Sequence, residues 1–405
     1  MDNQRTQTLR VLHSYPHRLG MSRICTIAWH EIDSVAATGA NMLVMAGDSV
    51  RPFTRENIKV TKTLTLGKRI PPYRILGTRR MCILHDWLVA KRLPKLRDKI
   101  DIIHAWPLGA RRTMQAAKKL GIPVALERCN AHTKFAYESV RKECERIGVQ
   151  LPVGHEHAYD KKILNLEEEE YNAADGILCP SKFVIKTFMD EGFAPDKMHP
   201  FFYGVDEKKF YPVAQNNRND SEGLTMIYVG VCAVRKGLHL ALDAWLNSPA
   251  SKTGKFLVVG GFIPSYQEKL HDLLAHPSVE VLGHRENVPE LMRKSDIFVL
   301  PSIEEGFGLV CTEAMASGCV PLVSDACTDL CQHMKNSLVH SVGDTAAISE
   351  HITRLDQDRS LLHSLRDQGL ADTPSLTWEA AGHAIVRAYR DIILRNAHKL
   401  RASQK

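Results

Sequence analysis

Two glutamates, Glu305 and Glu313, stand with seven residues between them in a stretch that also contains several glycines. Residues 300–318 read LPSIEEGFGLVCTEAMASG, which predicts the end of a strand, a turn with Gly306 and Gly308, and then a helix. Open α/β sheets bind ligands at the carboxyl ends of their strands, and a helix start offers free N–H groups to a phosphate. Glycines let the backbone approach such a ligand closely. The pattern therefore predicts that the two carboxylates contact different parts of one elongated, phosphorylated ligand.

This stretch resembles the signature of the family 4 retaining glycosyltransferases, here Glu-Gly-Phe-Gly-Leu-x-x-x-Glu-Ala-Met-Ala-x-Gly. In that family the first glutamate contacts the donor hexose and the second contacts the ribose hydroxyls, so the resemblance implies those roles for Glu305 and Glu313. The amides of the turn approach the hexose and the diphosphate. The implied donor-binding turn consists of Gly306, Phe307, Gly308, Leu309 and Val310. The alternative is an ordinary strand-to-helix turn whose glutamates cap the helix.

Two adjacent cations form the next candidate group. Residues 227–238 read IYVGVCAVRKGL, which resembles the family's Val-Gly-x…Arg-Lys-Gly turn, where basic side chains hold the donor diphosphate. The leaving nucleotide gains negative charge as the glycosidic bond breaks, and fixed cations stabilise that charge. Many members have an arginine directly after the first glycine, where this chain has Val231, so the task is expected to fall on Arg235 and Lys236. The alternative is a surface turn.

One histidine is a candidate for a catalytic role. Residues 125–133 read ALERCNAHT and follow a predicted strand. A subset of the family has an acidic-Arg-x-x-x-His turn at this place, with the histidine directed at the anomeric carbon, and the resemblance gives that role to His132. A neutral imidazole there could bind a donor hydroxyl and help to stabilise an oxocarbenium-like transition state. The alternative is a structural loop histidine, since the chain has 19 histidines.

Strand and helix signals alternate along the chain, which predicts parallel α/β layers. The alternation breaks after about Tyr203 and then resumes, so we expect two domains, as is usual for 405 residues. The first is expected to span residues 1–205 and to bind the acceptor, and the second residues 206–377 and to bind the donor. An amphipathic helix over about residues 378–400 is expected to pack back on the first domain. The predicted strands are Arg10–His13, Asn41–Met45, Cys82–Leu84, Ile100–His104, Pro123–Leu126, Gly176–Cys179, Met226–Val229, Phe256–Val259, Val279–Leu282, Ile297–Leu300 and Val320–Val323.

The resemblance extends from about Leu9 to about Arg390 and implies the fold of the whole chain. That fold is GT-B, an α/β arrangement of two Rossmann-like domains with a cleft between them. The matches are more specific in the second domain than in the first, as expected if the first recognises a variable acceptor.

Positive charge is concentrated in one part of the chain. Residues 51–100 contain fourteen lysines and arginines against three acidic residues, a surplus of eleven, although the whole chain carries only +7. Such a stretch favours an anionic partner, and we expect it to dock the first domain on anionic membrane lipid near a lipid-linked acceptor. The alternative is a solvated face without a partner. Nucleic acid is not expected as a partner.

The remaining composition is ordinary for a soluble globular protein. We find no apolar run of the length a membrane span needs and no apolar signal-peptide core at the start, so a cytoplasmic protein is expected, at most peripheral on the inner face of the membrane. The ten cysteines have no metal-ligand or redox spacing, which favours buried thiols. No convincing Asp-x-Asp motif is present, so neither a metal nor any cofactor besides the nucleotide-sugar substrate is expected.

These expectations combine into one function. The chain is expected to transfer a sugar from a nucleotide-diphosphate donor to the hydroxyl of a saccharide or lipid-linked acceptor, with retention, in surface polysaccharide or glycolipid synthesis. One alternative keeps the fold but changes the reaction to that of a sugar-nucleotide epimerase or a phosphorolytic enzyme. Another is a basic protein that binds membrane or nucleic acid and has a degenerate sugar site.

Overall fold

The computed structural model of the protein describes residues 8–22, 24–65, 77–213 and 223–402. Within these residues the chain forms two parallel sheets, each with helices packed against it, which confirms the predicted α/β class. Both sheets have strands that are buried at every position, as expected when helices cover both faces.

The first sheet is built entirely from the first half of the chain. Its strands are β1 (Arg10–Leu19), β2 (Asn41–Ser49), β3 (Ile58–Lys62), β4 (Ile102–Ala105), β5 (Val124–Glu127), β6 (Gly176–Cys179) and β7 (Met198–Pro200). They lie in the order β3-β2-β1-β4-β5-β6-β7, and all neighbours are parallel. The strand order therefore changes direction between β1 and β4.

The second sheet begins after the segment that separates the two predicted domains. Its strands are β8 (Thr225–Val229), β9 (Lys255–Val259), β10 (Val279–Gly283), β11 (Ile297–Leu300), β12 (Val320–Ser324) and β13 (Leu338–His340). They lie in the order β10-β9-β8-β11-β12-β13, again all parallel. The order changes direction between β8 and β11, and ligands bind at such switch points, outside the carboxyl ends of the strands.

Helices connect the strands in both domains. The first domain has α1 (Ile24–Ala37), α2 (Thr78–Arg92), α3 (Arg111–Leu120), α4 (Thr133–Ile147), α5 (Lys161–Ala173) and α6 (Lys182–Asp190). The second has α7 (Leu238–Leu246), α8 (Pro264–Lys269), α9 (His271–Leu274), α10 (Val288–Arg293), α11 (Leu309–Ala316), α12 (Thr345–Gln357) and α13 (Arg359–Asp372). The last helix is α14 (Trp378–Ala402).

Helix α14 lies against α1 of the first domain, although it follows the second domain in sequence. Ile385, Tyr389 and Ile392 are buried in the same apolar cluster as Ile32 of α1. The two helices approach closely, because a Cβ atom on Gly382 would lie 2.4 Å from the carbonyl oxygen of Ser34. The end of the chain thus completes the core of the first domain.

One predicted strand is wrong. Cys82–Leu84 lies inside α2, where Met81, Cys82, His85 and Val89 are buried at helical spacing. The run of apolar residues in the sequence hides this spacing, because Ile83 and Leu84 are exposed in the structure. Part of the basic stretch, residues 66–76, lies outside the described residues, as do residues 214–222 between the two sheets.

Candidate active site

The turn between β11 and α11 lies where the two domains meet. Gly308, directly before the helix, has a φ of 73°, in the left-handed region that favours glycine. A Cβ atom on Gly306 would come 1.6 Å from the carbonyl oxygen of Cys129 in the first domain. The sequence suggested that this glycine makes room for a ligand, whereas the group in closest approach here is the backbone of the other domain.

Glu305 is buried in this turn and paired with a cation. Its Oε2 atom forms an ion pair with Nζ of Lys236, and its Oε1 atom lies 3.6 Å from Nη1 of Arg235. Ser302 donates a hydrogen bond to the same carboxylate at 3.3 Å. Burial opposes ionisation, but the charges of Lys236 and Arg235 outweigh it and lower the pKa of Glu305 below its ordinary value. The carboxylate is therefore charged at neutral pH.

The two cations reach Glu305 because of the strand order. The segment that carries them follows β8, and the turn with Glu305 follows the neighbouring strand β11. Gly237 has a φ of 69°, and a Cβ atom there would lie 1.9 Å from the carbonyl oxygen of Pro301. The backbone N–H of Ile303 donates to the carbonyl oxygen of Arg235 at 2.8 Å. The two stretches that the sequence singled out thus form one continuous site.

Glu304 is a site residue that the sequence reasoning passed over. It is fully buried, and its Oε1 atom accepts a hydrogen bond from the backbone N–H of Ala131 at 3.0 Å. Its Oε2 atom lies 3.4 Å from Nε2 of His157 and 3.4 Å from Nη1 of Arg235. The only sequence feature that could have indicated Glu304 is its position next to Glu305. Fully buried carboxylates are rare, so the sequence provided no reason to expect that both glutamates are buried.

Glu313 lies about one helical turn into α11 and is half-buried. Burial raises its pKa to about 7, while the charge of Lys209 acts in the opposite direction. The structure does not place it in contact with Lys236 or Arg235, so the two glutamates of the motif have different surroundings. Glu305 is a paired carboxylate, and Glu313 changes its charge near neutral pH.

The other residues of the predicted donor-binding turn differ in how far they are buried. Phe307 is buried against Tyr203, with ring centroids 5.3 Å apart and nearly perpendicular planes. Ser181 of the first domain donates a hydrogen bond to the carbonyl oxygen of Gly306 at 2.7 Å. Leu309 and Val310 are half-buried at the start of α11. Phe307 therefore packs the turn against the first domain, while Leu309 and Val310 remain accessible.

His132 directly follows Ala131, whose N–H donates to Glu304. It caps the start of α4, where its Nδ1 atom accepts a hydrogen bond from the N–H of Lys134 at 3.3 Å. Its ring packs among Tyr171, Phe188 and Phe193, with centroids 5.0–5.7 Å away. Burial lowers its pKa to about 4, so it is neutral. Aromatic rings of the first domain thus surround the imidazole, and its role at the anomeric carbon stays a prediction.

A buried polar network supports the first-domain loop that touches the turn. Glu127, at the end of β5, accepts a hydrogen bond from the hydroxyl of Tyr203 at 2.6 Å and pairs with Nε2 of His104 at 2.8 Å. Nδ1 of His104 in turn lies 2.6 Å from the hydroxyl of Tyr389 on α14. Burial, together with the charge of Glu127, raises the pKa of Glu31 well above its ordinary value. The network links β5 and its loop to α1 and α14.

No cluster of histidine, cysteine and acidic side chains among the described residues has an arrangement that could hold a metal ion. Each described helix is too short or too polar to traverse a bilayer. Eight of the ten cysteines are buried, and no disulfide joins any of them within the described ranges.

Comparisons with known proteins bear on this site. Residues 223–358 match the family model of the glycosyl transferases group 1. The chain is 30% identical over 187 residues to the O-antigen chain mannosyltransferase B of Escherichia coli, a match that covers 44% of this chain and 49% of that protein. The chain thus spans about half the length of this curated relative.

Solved structures resemble the chain over nearly its whole length. Sucrose-phosphate synthase from Thermosynechococcus elongatus has a TM-score of 0.68 at 19% identity, with 96% of this chain and 100% of that chain covered. HepE from Anabaena, solved in complex with UDP, has a TM-score of 0.64 at 16% identity, with 94% and 99% covered. These likenesses show the fold, which is the predicted GT-B arrangement of two Rossmann-like domains. Residues 223–358 thus match the glycosyl transferases group 1, and the chain as a whole has a GT-B fold.

Proposed function

We propose that the protein transfers a sugar from a nucleoside-diphosphate donor to an acceptor hydroxyl, with retention of configuration and without a metal ion. The observation that carries this proposal is the buried pairing of Lys236 and Arg235 with Glu305 in the turn before α11. This turn brings together two cations for a diphosphate, a carboxylate for a hexose and a helix start with free N–H groups.

Arg235 and Lys236 are the groups that we assign to the leaving diphosphate. Their side chains are only 15% and 13% exposed, so their charges act in a medium of lower dielectric constant than water. Negative charge on the diphosphate grows as the glycosidic bond breaks, and both cations stabilise it where it develops. We assign Glu305 to the hexose hydroxyls. Glu313 is assigned to the ribose, and the accessible amides of Leu309 and Val310 to the phosphates.

Retention is proposed to follow from front-face substitution. The departing phosphate accepts the proton of the acceptor hydroxyl as that oxygen bonds to the anomeric carbon on the same face. The carboxylate of Glu305 is paired with both Lys236 and Arg235. Because these ion pairs hold its oxygens, we assign Glu305 to binding and orienting the sugar and not to attack on the anomeric carbon. The first domain covers the turn through the carbonyl oxygen of Cys129 and the N–H of Ala131, and this cover would exclude water that could hydrolyse the donor.

The test is a donor screen on the purified chain. Thermal shift with UDP, GDP and their common sugar esters should identify a stabilising ligand, and product analysis with added acceptors should show a new glycoside of the same anomeric configuration as the donor. A product formed from the donor alone would instead indicate an epimerase, and one formed from donor and phosphate a phosphorolytic enzyme. Stabilisation by no nucleotide and transfer to no acceptor would refute the proposal.

We propose further that α2 brings the first domain to an anionic membrane surface that carries the acceptor. Ile83, Leu84 and Trp87 on this helix are 38%, 40% and 42% exposed, which is unusual for adjacent large apolar side chains. Nζ of Lys91 lies 4.9 Å from the centre of the Trp87 ring. An apolar face with cations beside it suits the boundary between lipid headgroups and acyl chains. The sequence predicted a short strand and a basic stretch here, but not an exposed apolar face beside the cations.

A cavity beside α2 adds to this surface. Its volume is about 350 Å³, and its lining contains Ile83, four cations and three acidic residues: Arg79, Arg111, Arg112, Lys162, Asp86, Glu169 and Glu170. Arg111 is paired with Glu169 at 2.8 Å, whereas no ion pair among the described residues involves the other three cations. The surface thus combines exposed apolar side chains of α2 with nearby cations, which favours lipid phosphate as the partner.

Vesicle sedimentation tests the membrane proposal. Charge reversal of Lys91, Arg92, Lys95 and Arg97 should abolish binding to anionic vesicles, because each cation near such a surface contributes about 1 kcal/mol. The matched control reverses four exposed lysines of the second domain, Lys252, Lys255, Lys269 and Lys294. Equal binding of both variants would contradict the proposal. Trp87→Ala should weaken binding without a change in charge.

A further inference from the structure

Glu304 contacts both domains, although the proposed donor site has no task for it. Ala131 and His157, which lie 3.0 and 3.4 Å from its two carboxylate oxygens, belong to the first domain. Arg235, 3.4 Å from its Oε2 atom, belongs to the second. The carboxylate therefore lies where three separate segments of the chain meet.

The carboxylate is charged despite its burial. Burial alone would raise its pKa, but the contact with His157 and the charge of Arg235 lower the pKa of Glu304 to about 2. A buried charge that loses its partners destabilises the protein strongly. The contacts to the two domains are therefore expected to form and break together.

Glu304 holds one nitrogen of the Arg235 guanidinium. Nη1 lies 3.0 Å from the carbonyl oxygen of Glu304, 3.4 Å from its Oε2 atom and 3.6 Å from Oε1 of Glu305. Nε and Nη2 of Arg235 make no hydrogen bond or ion pair with any described residue. Because the guanidinium is planar and its five donors are fixed relative to each other, holding Nη1 also fixes the direction of the remaining donors.

We propose that Glu304 is a positioning residue that couples closure of the first domain to the orientation of Arg235. The inference rests on the proposed function, in which Arg235 stabilises the leaving diphosphate. With Ala131 and His157 against it, Glu304 holds Nη1 and leaves the other donors of Arg235 for phosphate oxygens. When the domains separate, Glu304 loses two of its partners and Arg235 loses its fixed orientation.

Glu304→Gln separates orientation from charge. The amide oxygen can still accept the hydrogen bond of Ala131, but the charge that orients Arg235 is gone. We expect kcat to fall roughly tenfold or more, because small displacements of a positioned group are costly in the transition state. Affinity for UDP or GDP should stay the same or increase, since a negative charge near the phosphates has been removed. A merely structural role would lower kcat and affinity together, and that outcome would overturn the inference.

Glu156→Gln is the matched control. Glu156 lies 3.6 Å from Nδ1 of His157 and is 77% exposed, and its charge acts on Arg235 although no hydrogen bond or ion pair joins these two described residues. The substitution removes one negative charge from the same neighbourhood. It removes no contact that orients Arg235, so kcat should stay unchanged. A loss of kcat equal to that of Glu304→Gln would show that charge alone is responsible.

A double-mutant cycle tests whether Glu304 acts through Arg235. Lysine at position 235 keeps the positive charge but cannot be held by one nitrogen of a planar group. In the Arg235→Lys background, Glu304→Gln should therefore have little further effect on kcat. The full effect in both backgrounds would overturn the inference.

Different results would refute the proposed function and the role of Glu304. A wild-type chain without nucleotide binding or transfer refutes the former, whereas wild-type turnover with an unchanged Glu304→Gln variant refutes only the latter. Amide exchange of the segment around Ala131, measured without nucleotide, tests the interdomain contact independently. Exchange should be faster in Glu304→Ala than in the wild type and in Glu156→Gln, and equal rates would count against the coupling.

Discussion

Lys236 and Glu305 form an ion pair between two turns that follow neighbouring strands, β8 and β11, of the second sheet. Sixty-nine residues separate them in sequence, and the parallel order of the strands brings them together. Glu305 is buried, and the charge of Lys236 lowers the pKa of the Glu305 carboxyl. The pair is the structural centre of the proposed donor site.

Gly306→Ala should disrupt the contact between the domains. The new methyl group would meet the carbonyl oxygen of Cys129 at 1.6 Å, a distance that requires movement of the backbone. We expect a loss of transfer and a destabilisation of about 1–3 kcal/mol, as for other overpacked sites. Gly261→Ala is the control, because a Cβ atom there has no neighbour within 4 Å. Kinetics and denaturation of the two variants should differ clearly, and equal behaviour would contradict the close approach.

Glu313 should make donor binding depend on pH. Its pKa is raised to about 7 by burial, so the carboxylate is largely protonated at pH 6 and largely charged at pH 8. Charged carboxylates accept stronger hydrogen bonds from hydroxyl groups, so affinity should increase with pH. Titration calorimetry with a sugar nucleotide such as UDP-glucose, whose phosphates do not titrate in this range, measures the effect. Glu313→Gln should remove the pH dependence, and an unchanged slope in that variant would exclude Glu313 as its source.

Glu31 should make the protein less stable at alkaline pH. Burial and the nearby carboxylate of Glu127 raise the pKa of Glu31 in the folded chain, while in the unfolded chain it is ordinary. The folded state therefore binds the proton more tightly, and its stability falls as pH rises towards the folded pKa, by up to about 1.4 kcal/mol per pH unit. Glu31→Gln should weaken this dependence in denaturant titrations between pH 6 and 9. The exposed Glu290→Gln serves as the control, and parallel curves for all three proteins would refute the explanation.

Chelation should leave transfer intact. Arg235 and Lys236 are proposed to stabilise the leaving group as fixed cations, a task that a divalent metal performs in other enzymes. Initial rates measured with and without EDTA should agree. Loss of all transfer on chelation, with recovery on addition of a divalent cation, would show that these two residues are not sufficient.

The sequence predicted most of the second domain but only part of the interdomain contacts. The motifs of this domain have fixed spacing and follow strands that are continuous apolar runs. Arg235, Lys236 and Glu305 could therefore be assigned to one site from the sequence. The partners of Glu304 could not, because Ala131 and His157 belong to the other domain and lie more than 140 residues away in sequence.

The surroundings of His132 could not be predicted from residue type and position. The histidine follows β5 as expected, but Tyr171, Phe188 and Phe193 come from segments far along the chain and enclose its ring. Helix α2 shows the same limitation. Which of its apolar residues are exposed depends on the packing of Cys82 and His85 against the sheet, and a single continuous apolar run does not reveal this.

The central claim is that the Lys236–Glu305 ion pair belongs to a sugar-nucleotide site. The most direct test is calorimetry with UDP and GDP on the double variant Lys236→Met, Glu305→Gln, which removes both charges so that neither is left buried alone. The exposed pair on α4, replaced as Arg141→Met, Glu145→Gln, is the control. Because charged hydrogen bonds contribute about 1.5–3 kcal/mol, the account predicts that the site variant binds nucleoside diphosphate at least about tenfold more weakly, with no transfer. Wild-type affinity and turnover in that variant would contradict it.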